Sequence, residues 1–235
     1  MGAETRPSLL VALISTFAAL HAVLAAIPGV WRSLAVVAIP LEGVLLGPKA
    51  GFLAALIGAA GGRILRPRAG LDPVFGIAEP VGALVSGLAF KGKQLQVFAI
   101  YGALLLAYFL HPVGRRLPAW CLWDIYIAFA AIPLTGPTAR RLRQSRGNPK
   151  ALMPSVVLSS FIGVEADVLV RIFMFIPLGL YSLMGVPEEA LPAIWVAGAF
   201  ETPIESAISV LASTLLLVPL LKILEDGRII RWPLT

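Results

Sequence analysis

Ten ionisable side chains lie inside apolar runs of this sequence: Glu42, Glu79, Asp124, Glu165, Asp167, Arg171, Glu201 and Glu205, with His21 and His111. At membrane depth such a group costs on the order of 2.5–3.5 kcal/mol on insertion scales, so each needs a partner or a task. Seven of the ten are carboxylates and one is an arginine. Asp167 and Arg171 are four residues apart, a spacing that pairs them on one face of a helix. The remaining acids can be held protonated by burial. They can also line a cavity, and a cavity so lined favours a cation or a molecule with a cationic part. His21 is read as a hydrogen-bonded packing residue rather than a metal ligand. The chain has no Ser–His, Cys–His or HExxH arrangement. With no nucleophile, base and orienter to assemble, the reading is not an enzyme, and no metal or cofactor is expected.

These residues need apolar elements to position them. The 235 residues are 58% hydrophobic and 14% charged, with a mean hydropathy of +0.89. A soluble domain carries roughly a quarter charged residues. The composition therefore indicates an all-α, polytopic transmembrane bundle in a single domain. About 20 apolar residues cross a bilayer. Candidate spans run roughly over 8–28, 32–47, 49–64, 73–90, 95–111, 118–136, 151–184 and 190–223, giving about eight helices. Gly47-Pro48-Lys49-Ala50-Gly51 reads as a tight helical hairpin. Pro177 and Pro203 are expected to kink the two long final spans.

The formal charge of +6 does not mark a nucleic-acid surface, because the basic residues are not interleaved with aromatics. They sit between apolar runs, where orientation signals belong. With both termini inside, most of the 19 Lys and Arg residues fall on the cytoplasmic side. That reading places Arg32, Arg63, Arg66, Arg68, Arg115 and Arg116 outside. The loop Thr138–Arg146 is read as a topology anchor, the alternative being contact with acidic heads of membrane lipid. The expected location is the cell membrane.

At 1.5 Å per residue, Glu79 and Asp124 lie about 9 Å below the outer ends of their helices, and Glu201 about 16 Å. Asp167 and Arg171 rise from inside to a similar depth. The expected site for a small molecule is therefore Glu79 and Glu201 as first polar contacts, with Asp124, Asp167 and Arg171 behind them. Trp31 and Trp123 stand as a lid or stacking pair, or belong to the interfacial aromatic belt. Glu42 is expected to face protein or the cytoplasmic boundary.

Two phrases return. AIPLEG (38–43) is echoed by AIPLTG (131–136), and EPVGALVSGLA (79–89) resembles ETPIESAISVLA (201–212). A four-plus-four internal repeat, common in transporters, would produce this, as would the small alphabet of apolar segments.

On the first span, Ala18, Ala22 and Ala26 recur every four residues, spacing that lets helix backbones approach in lipid, either within the bundle or against a partner. This stripe, followed by IPLEGVLLGPKAGFLAALIGAAGG (39–62) and FGIAEPVGALVSGLAF (75–90), resembles the substrate-binding S components of energy-coupling factor transporters. In members that bind thiamine, an acidic residue of the fourth helix meets the cationic ligand, and Glu79 is the matching position. The resemblance covers roughly residues 8–91 and, more loosely, 151–223. Residues 95–136 depart from it by adding two helices to the usual six. It implies uptake of a vitamin-like molecule, driven by a transmembrane coupling subunit that Ala18, Ala22 and Ala26 would face, and by ATPase subunits. The chain has no GxxxxGK[ST] loop of its own, so the energy must come from outside it. The alternative is a proton-coupled secondary transporter, with Glu79, Glu165, Glu201 and Glu205 as a relay.

Overall fold

The computed structural model describes residues 7–29, 32–67, 72–145 and 148–226. The chain is all-α over these residues. Its helices are α1 (Pro7–Ala26), α2 (Ala38–Leu46), α3 (Pro48–Leu65), α4 (Ala78–Phe90), α5 (Gln94–Leu110), α6 (Trp123–Ala131), α7 (Thr135–Gln144), α8 (Pro149–Phe175), α9 (Leu180–Leu183) and α10 (Leu191–Asp226). Short 3-10 turns lead into α2, α4 and α6 and separate α6 from α7. The apolar runs of the sequence all fall on helical segments, because each is rich in Ala, Leu, Val and Ile and is bounded by Gly, Pro or a charge. Among the described residues, three segments are long and apolar enough to cross a membrane: Pro7–Ala26, Ala119–Gln144 and Glu188–Leu224. The outward side chains of α10, among them Phe200, Ile204, Ile208, Leu211 and Leu215, are exposed and apolar, as suits a lipid-facing surface.

Two boundaries differ from expectation. The seventh run ends at Phe175 instead of continuing to 184. Proline disfavours helical geometry in the residue before it, so Pro177 terminates the helix where a kink was expected. The sixth run continues past Pro133, and the basic stretch expected as a loop forms α7. Pro203 lies inside α10 and does not end it. The echoed phrases also sit differently. AIPLEG opens α2, whereas AIPLTG spans the end of α6, a 3-10 turn and the start of α7.

Gly47, at φ 87°, makes the expected turn between α2 and α3. An L side chain is strained at that angle, so glycine is the residue of choice. Elsewhere glycine permits close crossing. A Cβ on Gly43 of α2 would lie 2.1 Å from the carbonyl of Ala83 in α4, and one on Gly82 of α4 would lie 2.9 Å from the carbonyl of Gly163 in α8. α4 is consequently enclosed by α2, α3 and α8, and almost all of its residues are buried. At the far end of α4, partial burial and then the charges of Lys93 and Lys49 hold Lys91 below the ordinary lysine range. Three lysines thus gather where α2–α3 and α4–α5 turn.

Candidate functional site

Close crossing of α1, α2, α4 and α8 forces their buried ionisable groups together. His21 is fully buried on α1, and Gly58 of α3 leaves room for it: a Cβ there would lie 2.4 Å from that of His21. One ring nitrogen meets Glu42 of α2 at 3.0 Å, and the other meets Glu79 of α4 at 3.0 Å. Arg171 of α8 donates to the second oxygen of Glu79 at 3.2 Å. Its Nε donates to Asp167, one turn back, at 3.0 Å. Arg32 then reaches Asp167 at 3.4 Å, Glu205 of α10 at 2.9 Å and Ser206 at 3.2 Å. The result is one continuous series, Glu42–His21–Glu79–Arg171–Asp167–Arg32–Glu205, that crosses five elements.

Local structure aims Arg32 inward. The chain leaving α1 folds back on itself, with the N–H of Gly29 donating to the Arg32 carbonyl at 2.7 Å and that of Leu34 donating to Ile27 at 3.1 Å. The backbone N–H of Arg32 donates to Glu205 as well, at 3.3 Å. A Cβ on Gly29 would lie 2.4 Å from the Arg32 carbonyl, so this return requires glycine. Arg63 lies 3.9 Å from Glu79, and its guanidinium rests over Gly76, where any Cβ would overlap it.

Beside this series lies a cavity of about 390 Å³. Phe75, Ile172, Phe175, Met184, Ile194 and Trp195 form its apolar walls. Trp195 stacks on Phe175 with ring centroids 6.2 Å apart and planes 15° from parallel. Tyr108 lies against Trp195, also at 6.2 Å and within 8° of parallel. The charged groups on the wall are Arg32, Arg171 and Asp124. One oxygen of Asp124 accepts the N–H of Ile125 at 2.9 Å.

Asp124 and Arg171, both expected at the site, line the cavity. Glu79 and Asp167 stand behind it in the ion pairs with Arg171 and do not line the wall. The Asp167–Arg171 pair has the anticipated i,i+4 geometry. Glu201 adjoins Thr202, which lines the cavity, but Glu201 itself does not. Trp123 is partly exposed, and its indole N–H donates to the carbonyl of Ala199 on the cavity wall at 2.9 Å. Trp31 lies outside the described residues. Ala18 and Ala22 pack against α3, under Gly58, Gly61 and Gly62, and the carbonyl of Ala26 accepts from Arg66 at 3.1 Å.

Arg32 corrects the sequence reading. It was assigned to an outer connection, yet it is 6% exposed and paired with two buried carboxylates. The surplus of acid was the available signal, since buried carboxylates need counterions and the nearest cations stood at the helix starts. His21 was expected to be hydrogen-bonded, but its two carboxylate partners lie 21 and 58 residues away and no local spacing encodes them.

The class that emerges is a helical protein with apolar helices of membrane-crossing length, a buried charge series and an adjoining cavity. No protein-family model matches the chain, and neither a curated protein nor a solved structure does.

Proposed function

We propose that the chain is the membrane-embedded binding subunit of an importer for a vitamin-sized molecule. It would be a multi-pass protein of about eight spans in the cell membrane, with both termini cytoplasmic. The observation that carries the reading is the cavity set directly against the buried charge series. Ligand pockets occupy about 300–1,000 Å³ and are mostly apolar with a few placed polar groups. Ionisable residues inside a membrane bundle are expensive, and marking a substrate path is one of their recurrent uses. The Lys49, Lys91 and Lys93 gathering supports placing that end inside. Energy would come from a coupling subunit and ATPases.

Native mass spectrometry of the gently purified protein tests this reading. A small molecule should travel with the wild type and be lost from Gly198→Leu. Gly198 lines the cavity and has only one foreign atom within 4 Å of its notional Cβ, so the added side chain fills the space without a clash at its root. A cavity that carries nothing, with uptake unaffected by Gly198→Leu, rejects the proposal.

One observation favours a second reading, a proton-coupled carrier. His21 bridges two carboxylates in a dry interior, an arrangement suited to passing a proton between Glu42 and Glu79. Uptake that collapses with an uncoupler and survives loss of any ATPase partner would select it.

A further inference from the structure

The cavity's charge is opposite to what the number of nearby acids suggests. Glu79 spends one oxygen on Arg171 and the other on His21. Asp167 is wholly buried between Arg171 and Arg32. Neither carboxylate is presented to a guest. Arg171 is placed differently. Its side chain keeps 20% of its surface accessible, and it forms part of the cavity wall. Its Nε is committed to Asp167 and one Nη2 hydrogen to Glu79. Guanidinium carries five N–H donors in a planar fork, so the Nη1 edge retains donors that no hydrogen bond among the described residues uses. The two carboxylates behind it hold the fork rigid. One turn along α8 from Arg171, Phe175 stacks on Trp195, and both line the cavity with Phe75.

From this arrangement we infer that the cavity takes a small molecule with a flat apolar body and one carboxylate or similar planar oxyanion, received by the free edge of Arg171. This rests on reading the cavity as the binding site. A planar fork pairs with a carboxylate through two parallel bonds, and such charge-assisted bonds are the stronger kind. The flat body would lie along the aromatic wall, where rings prefer offset or stacked contact. Asp124 is the one carboxylate on the wall and sits with Arg32 there, so it does not reverse the sign.

Three probes of nearly one shape test the inference: indole-3-acetate, tryptamine and 3-methylindole, which are anionic, cationic and neutral. Binding to the full-length protein in nanodiscs is measured by competition, with empty nanodiscs as the blank for partitioning into lipid. Indole-3-acetate should bind roughly tenfold or more tightly than the other two, the weight of one charge-assisted pair. Arg171→Lys keeps the positive charge facing Glu79 and Asp167 but removes the fork, and it should erase most of that preference. Its unfolding temperature is recorded alongside, and the wild-type comparison stands whether or not the variant folds. Equal or tighter binding of tryptamine overturns the inference while leaving the cavity as a site. Binding of none of the three overturns the cavity reading and the inference together.

Discussion

The two flanks of α8 are built by different physics. On one flank, α2 and α4 approach through glycines and carry a buried series of acids and bases, with Arg32 and Glu205 closing its far end. On the other, α5 and α6 pack through large side chains, and Val97, Tyr101, Tyr108, Ile125 and Ile132 form a dry cluster with Ile162 and Trp195. Backbone contact leaves no slack, and buried ion pairs must be complete, because an unpartnered charge in low dielectric costs several kcal/mol. A cluster of large apolar side chains can adjust rotamers and absorb small changes. The cavity lies where the two flanks meet. It takes Arg32 from the first and Cys121, Leu122, Asp124 and Ile125 from the second, while α8 and α10 supply Arg171, Phe175 and Trp195.

That contrast can be broken by substitution. The largest effect is expected for Arg32→Met, which removes the guanidinium that Glu205 and Asp167 share. A loss of about 3–5 kcal/mol is expected in unfolding titrations. Adding Glu205→Gln should recover part of it, and a simple sum of the two single effects would mean the pair is not coupled. Gly43→Ala drives a methyl group into the Ala83 carbonyl and should cost about 1–3 kcal/mol. Tyr101→Phe, on the apolar flank, removes a hydroxyl that donates to the Ile162 carbonyl at 2.6 Å, with an expected loss of about 1 kcal/mol. The smallest change is expected for Gly102→Ala in α5. Nothing lies within 4 Å of its notional Cβ, so helix stability should rise by roughly 0.5–1 kcal/mol. If Gly43→Ala and Gly102→Ala behave alike by the same measurement, the distinction between the flanks fails.

Much of the helix layout was legible because the apolar run is a local property. Gly47-Pro48 announced its own turn, and Asp167–Arg171 announced its own pairing. Contacts across helices were not legible in the same way. His21 reaches Glu42 and Glu79 only because Gly58 lets α1 press against α3, and nothing near His21 encodes that approach. Arg32 looked like a loop charge because it falls between two apolar runs, shortly after Pro28-Gly29. The basic stretch at 138–146 was taken for a loop on composition, although Ala139 and Leu142 are the buried face of an amphipathic helix. Counting acids suggested a cationic guest, but a tally of types cannot tell which side chains line the cavity, and Glu79 and Asp167 do not. The depth estimates put Glu79, Asp124, Asp167, Arg171 and Glu201 in one layer, and of these Asp124 and Arg171 line the cavity.

The length of α10 has a mechanical result. Its 36 residues measure about 54 Å, against about 30 Å of hydrocarbon, and a tilt near 40° would still leave a rise of about 41 Å. Set across a bilayer, such a rod would outrun the oily layer by whole turns. Pro203 removes one rung of its hydrogen-bond ladder just ahead of Glu205, so bending stress concentrates there. In that setting a sideways push on the overhanging end would act as a lever whose flexure sits beside the grip on Arg32.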